Sequence, residues 1–238
     1  MYRNRPIFMI SLWAAAMMVV LVYISCGLKK VVPEQPAEPF KFSRLIFLPI
    51  QDMARIYGEN KTIQCQLCGN MFTTGRVTEG ADAFLTHHVQ ALLKERRKDF
   101  ELVPISQAKG AMSDILLGSQ QELSERELLV KIGRQLNADA ILTGKVYRFV
   151  ERNGTDYSTN SPASVAFDLT LLRVSDGRIM WTGHYDETQQ SLFENIFKLN
   201  SFFKREGKWI TAEALALEGL KKIFEEFPVH EDNTGSGH

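Results

Sequence analysis

Three consecutive runs between Asn137 and Thr188 constrain this chain more than any other stretch. Ala138–Phe149, Ser164–Val174 and Arg178–Tyr185 are rich in β-branched and aromatic residues, as strands are. In the middle run Val165, Phe167, Leu169 and Leu171 recur at every second position, the period that lines one face of a pleated strand. Ser175-Asp176-Gly177 joins it to the third run, where Ile179, Trp181 and Tyr185 alternate. Asp-Gly between two such runs is a strong hairpin signal, because glycine tolerates the positive φ of a tight turn. The stretch therefore predicts a three-stranded antiparallel meander. The rest of the chain must cover its apolar face.

Flanking segments supply that cover. Arg44-Leu-Ile-Phe-Leu-Pro-Ile50 reads as a buried strand. A helix follows from Thr78, which is placed to cap it, with Ala81, Phe84, Leu85, His88, Val89 and Leu92 on one face. Phe100–Val103 is a short strand stopped by Pro104. Ser124 and Glu127 form a capping box for a helix burying Leu128, Leu129, Ile132 and Leu136. A last helix from about Thr211 places Ala216, Leu217, Leu220, Phe224 and Phe227 together, and Pro228 ends it. Residues 105–122 and the long stretch 51–77 give no clear periodicity.

The amino terminus predicts an address. Arg3 and Arg5 precede Ile7–Ile24, eighteen residues that are apolar except for Ser11 and the interfacial Trp13 and Tyr23. Ser25-Cys26-Gly27 then offers a small residue before a cysteine, so the segment reads as a secretory signal. An uncleaved membrane anchor is the alternative, since eighteen apolar residues just span a bilayer. Residues 26–42 carry Pro33, Pro36 and Pro39 and form an extended spacer. The organisation expected is a signal at 1–25, the spacer, an α/β domain at 43–228 and a disordered tail at 229–238. At 45% hydrophobic residues the domain can bury a core. Equal numbers of basic and acidic residues, 28 each, give no field to draw in nucleic acid.

Strand, helix, strand, helix, meander and helix, in that order, resemble the periplasmic α/β domain of several bacterial envelope lipoproteins. The residues carrying the likeness are Leu45-Ile-Phe-Leu-Pro49, Asn137-Ala-Asp-Ala-Ile-Leu-Thr-Gly144 and Asp176-Gly-Arg-Ile-Met-Trp181. The groups it is similar to are the curli-secretion (CsgG-type) lipoproteins, the lipoprotein activators of penicillin-binding proteins and the amino-terminal domain of TolB. The resemblance implies an α/β fold with a mixed β-sheet, a C-terminal antiparallel meander and helices packed on it. The end of the leader likewise resembles a bacterial lipobox, although Tyr23 stands where Leu is usual. That implies acylation of Cys26, with palmitate among the chains, and a protein on the outer membrane facing the periplasm. The function implied is binding to an envelope protein in assembly or maintenance. A subunit of an oligomeric curli-like secretion complex is the alternative, but the loop 151–162 lacks the alternation of roughly ten residues that a pore strand needs.

No phosphate loop, dinucleotide fingerprint, nucleophile elbow or zinc-protease pair occurs, so neither an enzyme nor a cofactor is expected. Ser106–Lys109 and Ser201–Lys204 have serine–lysine spacing but lack companion motifs. Cys65 and Cys68 read as a disulfide pinning a long loop in an oxidising compartment. A periplasmic redox or metal site on the same pair is the further alternative. Zinc would need two more ligands, and the adjacent His87 and His88 diverge on their helix, so no metal is expected. His88 reads as a hydrogen-bonded core residue and Asp168 as part of a solvated sheet face. Leu192, Phe193, Phe197, Phe202 and Phe203 form an aromatic cluster that is either core cover or a surface for a partner or for self-association.

Overall fold

A computed structural model describes residues 41–96, 98–118, 122–154, 159–189 and 210–228. Cys26, the cluster from Leu192 to Phe203 and the tail lie outside them. The central sheet runs β10-β9-β6-β1-β5, with β2 pairing β6 beyond the end of β1. Its strands are β1 (Arg44–Phe47), β2 (Gln51–Asp52), β5 (Glu101–Leu102), β6 (Ala140–Val150), β9 (Ser164–Arg173) and β10 (Ile179–Thr188). β1 is parallel to both β5 and β6, whereas β6, β9 and β10 form the antiparallel meander. The fold is thus a mixed α/β sheet carrying the meander read from the sequence. Gly177 turns the β9–β10 hairpin at φ +71°, and Arg173 grips Asp176 with two hydrogen bonds of 2.9 and 2.5 Å.

Both faces of the sheet are buried. On one, Leu45, Phe47, Val165, Phe167 and Leu169 pack against α2 (Ala81–Glu95) and against α5 (Ala212–Glu225). On the other, Ile46, Ile141, Ala166 and Leu172 meet α3 (Ile105–Gly118), α4 (Glu125–Gln135) and a small hairpin. That hairpin, β3 (Thr62–Gln64) with β4 (Met71–Thr73), follows the short helix α1 (Met53–Tyr57) within the stretch that shows no periodicity. The short pair β7 (Asn153–Gly154) and β8 (Thr159–Ser161) lies between β6 and β9. Among the described residues no helix is long and apolar enough to cross a membrane.

Several local expectations are corrected. α2 is capped by Gly80 at φ +81°, not by Thr78, whose hydroxyl instead donates to the Phe149 carbonyl at 2.8 Å. Residues 105–118 form a helix on which Ala108, Ala111, Met112 and Ile115 recur at helical spacing and pack against the sheet. Leu217 is 40% exposed, since α5 buries Leu215, Ala216, Leu220 and Phe224 instead. The capping box on α4 is present as expected, with Ser124 Oγ accepting from the Glu127 N–H.

Candidate functional site

The cysteine pair sits at the tip of the β3–β4 hairpin. Cys65 N–H donates to the Asn70 carbonyl at 2.8 Å and Gly69 N–H to the Cys65 carbonyl at 2.9 Å, so the chain doubles back within one turn. Gly69 takes φ +76°, which completes it. The backbone N–H of Cys68 donates to Cys65 Sγ at 3.4 Å. Both sulfurs are free thiols here.

Beneath the hairpin the sheet presents polar residues in an otherwise apolar layer. Asp168 on β9 is 2% exposed, which corrects its reading as part of a solvated face: the hairpin covers it. Its Oδ2 accepts from the Tyr147 hydroxyl at 2.8 Å and from Cys68 Sγ at 3.5 Å. Tyr147 reaches it because it lies two positions from Lys145, the cross-strand partner of Asp168, and so faces the same side of the sheet. The Tyr147 ring also stacks on Phe72, with centroids 4.0 Å apart. Lys145, cross-strand neighbour of Asp168, is 4% exposed, pairs with Glu125 of α4 at 2.7 Å and lies 3.8 Å from Cys65 Sγ.

These neighbours set the charges. The hydrogen bond from Cys68 outweighs burial and, with the backbone N–H of Cys68 and the Lys145 cation, lowers the Cys65 thiol to about 4. The same bond, reinforced by burial, pushes Cys68 up. Burial and then the charge on Cys65 raise Asp168 to about 7, and burial raises Tyr147. Burial opposes the charge on Lys145, but Glu125 prevails and raises it. Cys65, Lys145, Tyr147 and Glu125 line a cleft of about 200 Å³ rimmed by Ile56 and Tyr57. Two sulfurs and a carboxylate within 4.8 Å of one another can hold a metal ion or take part in thiol chemistry.

Of the residues singled out from the sequence, the fold brings Cys65 and Cys68 together and adds Asp168 from 100 positions away. His87 is exposed, and half-buried His88 bonds the Phe84 carbonyl at 2.9 Å, so neither joins the sulfurs. Lys145, Tyr147 and Glu125 were not anticipated. The available sign was a lysine inside the apolar run of β6, two positions from a tyrosine and so on the same face.

The model of the family described as "Peptidoglycan-synthase activator LpoB" matches residues 55–186. No curated protein matches the chain by sequence. Among solved structures, the LpoB C-terminal domain from Escherichia coli is 18% identical, with a TM-score of 0.39 and coverage of 64% of this chain and 88% of that one. The PelC dodecamer from Paraburkholderia phytofirmans is similar at 12% identity and TM-score 0.44, covering 81% and 93%. Lipoprotein GNA1162 from Neisseria meningitidis is similar at 14% identity and TM-score 0.38, covering 69% and 93%.

Proposed function

We propose that this chain, which belongs to the family of peptidoglycan-synthase activators described as LpoB, is an envelope lipoprotein that binds a peptidoglycan synthase and stimulates it. The observation carrying this reading is the family match over residues 55–186, which runs from α1 into β10 and includes the whole of β6 and β9. The protein is a regulator and not an enzyme; its partner would do the chemistry. Acylation of Cys26 would fix the domain to the outer membrane, and the spacer up to residue 42 would extend it by up to roughly 3.1 Å per residue. The aromatic cluster Leu192, Phe193, Phe197, Phe202 and Phe203 supplies a contact surface for the synthase, because dense aromatic side chains give large buried area at an interface.

The test is co-purification from detergent-solubilised envelope after cross-linking, with captured proteins identified by mass spectrometry. A peptidoglycan synthase recovered with the wild-type chain, and reduced in Phe193→Ala and Phe197→Ala at unchanged melting temperature, supports both the partner and the surface. Capture of the chain's own copies alone would favour a self-assembling role instead. Cys26→Ala should abolish acyl labelling; equal labelling in the variant would remove the anchor.

A further inference from the structure

We infer that the β3–β4 hairpin and β9 together form a metal site for one zinc-like divalent cation, held by Cys65 Sγ, Cys68 Sγ and an Asp168 carboxylate oxygen. The inference stands apart from the activator reading and rests on three features of the geometry.

The first is the loop. A Cys-x-x-Cys-Gly turn at the tip of a two-stranded hairpin brings both sulfurs within 4.8 Å of each other, and the backbone N–H of Cys68 is already directed at Cys65 Sγ. Such a donor stabilises a thiolate ligand and fixes its orientation before any ion arrives. The second is the third donor. Around a tetrahedral zinc, with Zn–S near 2.3 Å and Zn–O near 2.0 Å, a sulfur–oxygen edge is about 3.5 Å long. Cys68 Sγ and Asp168 Oδ2 are 3.5 Å apart, and all three donors lie within 4.8 Å of one another. Tyr147 holds the carboxylate in place at 2.8 Å, as outer partners of metal ligands do. The third is charge. A carboxylate buried beside two sulfurs calls for a cation, and Lys145 shares its single charge with Glu125. Three anionic donors around a divalent ion leave one negative charge, which the Lys145 ammonium, 3.8 Å from Cys65 Sγ, faces.

Mixed sulfur and oxygen ligation suits zinc better than copper(I), which prefers sulfur alone. The remaining coordination position takes solvent from the cleft that Cys65 and Tyr147 line. Binding displaces the Cys68 thiol proton to solvent and changes no oxidation state. The ion clamps the hairpin, otherwise a two-stranded unit of marginal stability, onto the sheet.

The test uses the untagged full-length chain in detergent, reduced and anaerobic, titrated with Co2+ as a spectroscopic probe and then with Zn2+. The expected result is about one equivalent of Co2+ with a thiolate-to-cobalt charge-transfer band and the intense visible bands of tetrahedral cobalt, displaced by Zn2+. Cys65→Ser and Cys68→Ser should each weaken the charge-transfer band, and Asp168→Asn should shift the visible bands. Lys145→Gln should lower affinity about 10–100-fold at unchanged stoichiometry. Absence of a charge-transfer band in the reduced wild type would overturn the inference. So would visible bands unchanged by Asp168→Asn, or a Cys65–Cys68 disulfide trapped by alkylation in intact envelope together with no metal uptake after reduction.

Discussion

Gly219 gives a sharp quantitative test of how α5 lies on the meander. It sits mid-helix, where replacing glycine by alanine ordinarily stabilises by about 1 kcal/mol through backbone entropy. Here a β-carbon would meet Tyr185 Cδ1 at 2.5 Å, Cγ at 2.6 Å and Cε1 at 2.8 Å. The ring cannot easily retreat: it is buried, its hydroxyl donates to Glu187 at 2.9 Å and Phe167 packs beside it with centroids 5.6 Å apart. Overpacking of this kind costs about 1–3 kcal/mol, and contact with a fixed ring belongs at the upper end. Subtracting the helix gain leaves Gly219→Ala destabilised by about 2 kcal/mol, or roughly 4–8 °C in melting temperature for a domain of this size. Gly110 in α3 is the control. It too is mid-helix, but nothing lies within 4 Å of its β-carbon, so Gly110→Ala should raise the melting temperature by about 2–4 °C. Paired thermal melts decide the matter. Stabilisation in both variants would mean that α5 does not press on Tyr185 as described.

Phe72→Ala removes the buried ring that stacks on Tyr147 and should cost about 3–5 kcal/mol unless the hairpin detaches on its own. Hydrogen exchange separates the cases: faster exchange confined to the amides of Cys65 and Thr74 marks detachment, and unchanged exchange with an unchanged melting temperature would refute the anchoring role. Ser124→Ala loses the capping box of α4 and should cost about 1 kcal/mol by denaturant unfolding, whereas a loss within error would mean that the cap contributes nothing.

The meander was legible because its information is local. Period-two apolar residues in β9 and the Asp-Gly turn specify the strands without reference to the rest of the chain. The capping box of α4 was readable for the same reason. The polar cluster was not. Asp168 alternates with apolar neighbours as any solvent-facing residue would, and only a hairpin 100 positions earlier in the chain turns that face into an interior. Lys145 and Glu125 pair across a helix and a strand whose packing no periodicity encodes. The stripe of α3, Ala108, Ala111, Met112 and Ile115, is a weak signal because its two most buried positions are alanines with little apolar surface.

The central claim is that this chain stimulates a peptidoglycan synthase by binding it. The direct measurement is the rate of glycan polymerisation by the purified synthase captured from the same envelope, on lipid-linked precursor in detergent, with and without the purified chain. The account predicts a rate that rises and saturates with chain concentration, and no product from the chain alone. An unchanged rate at concentrations where binding is complete would contradict it.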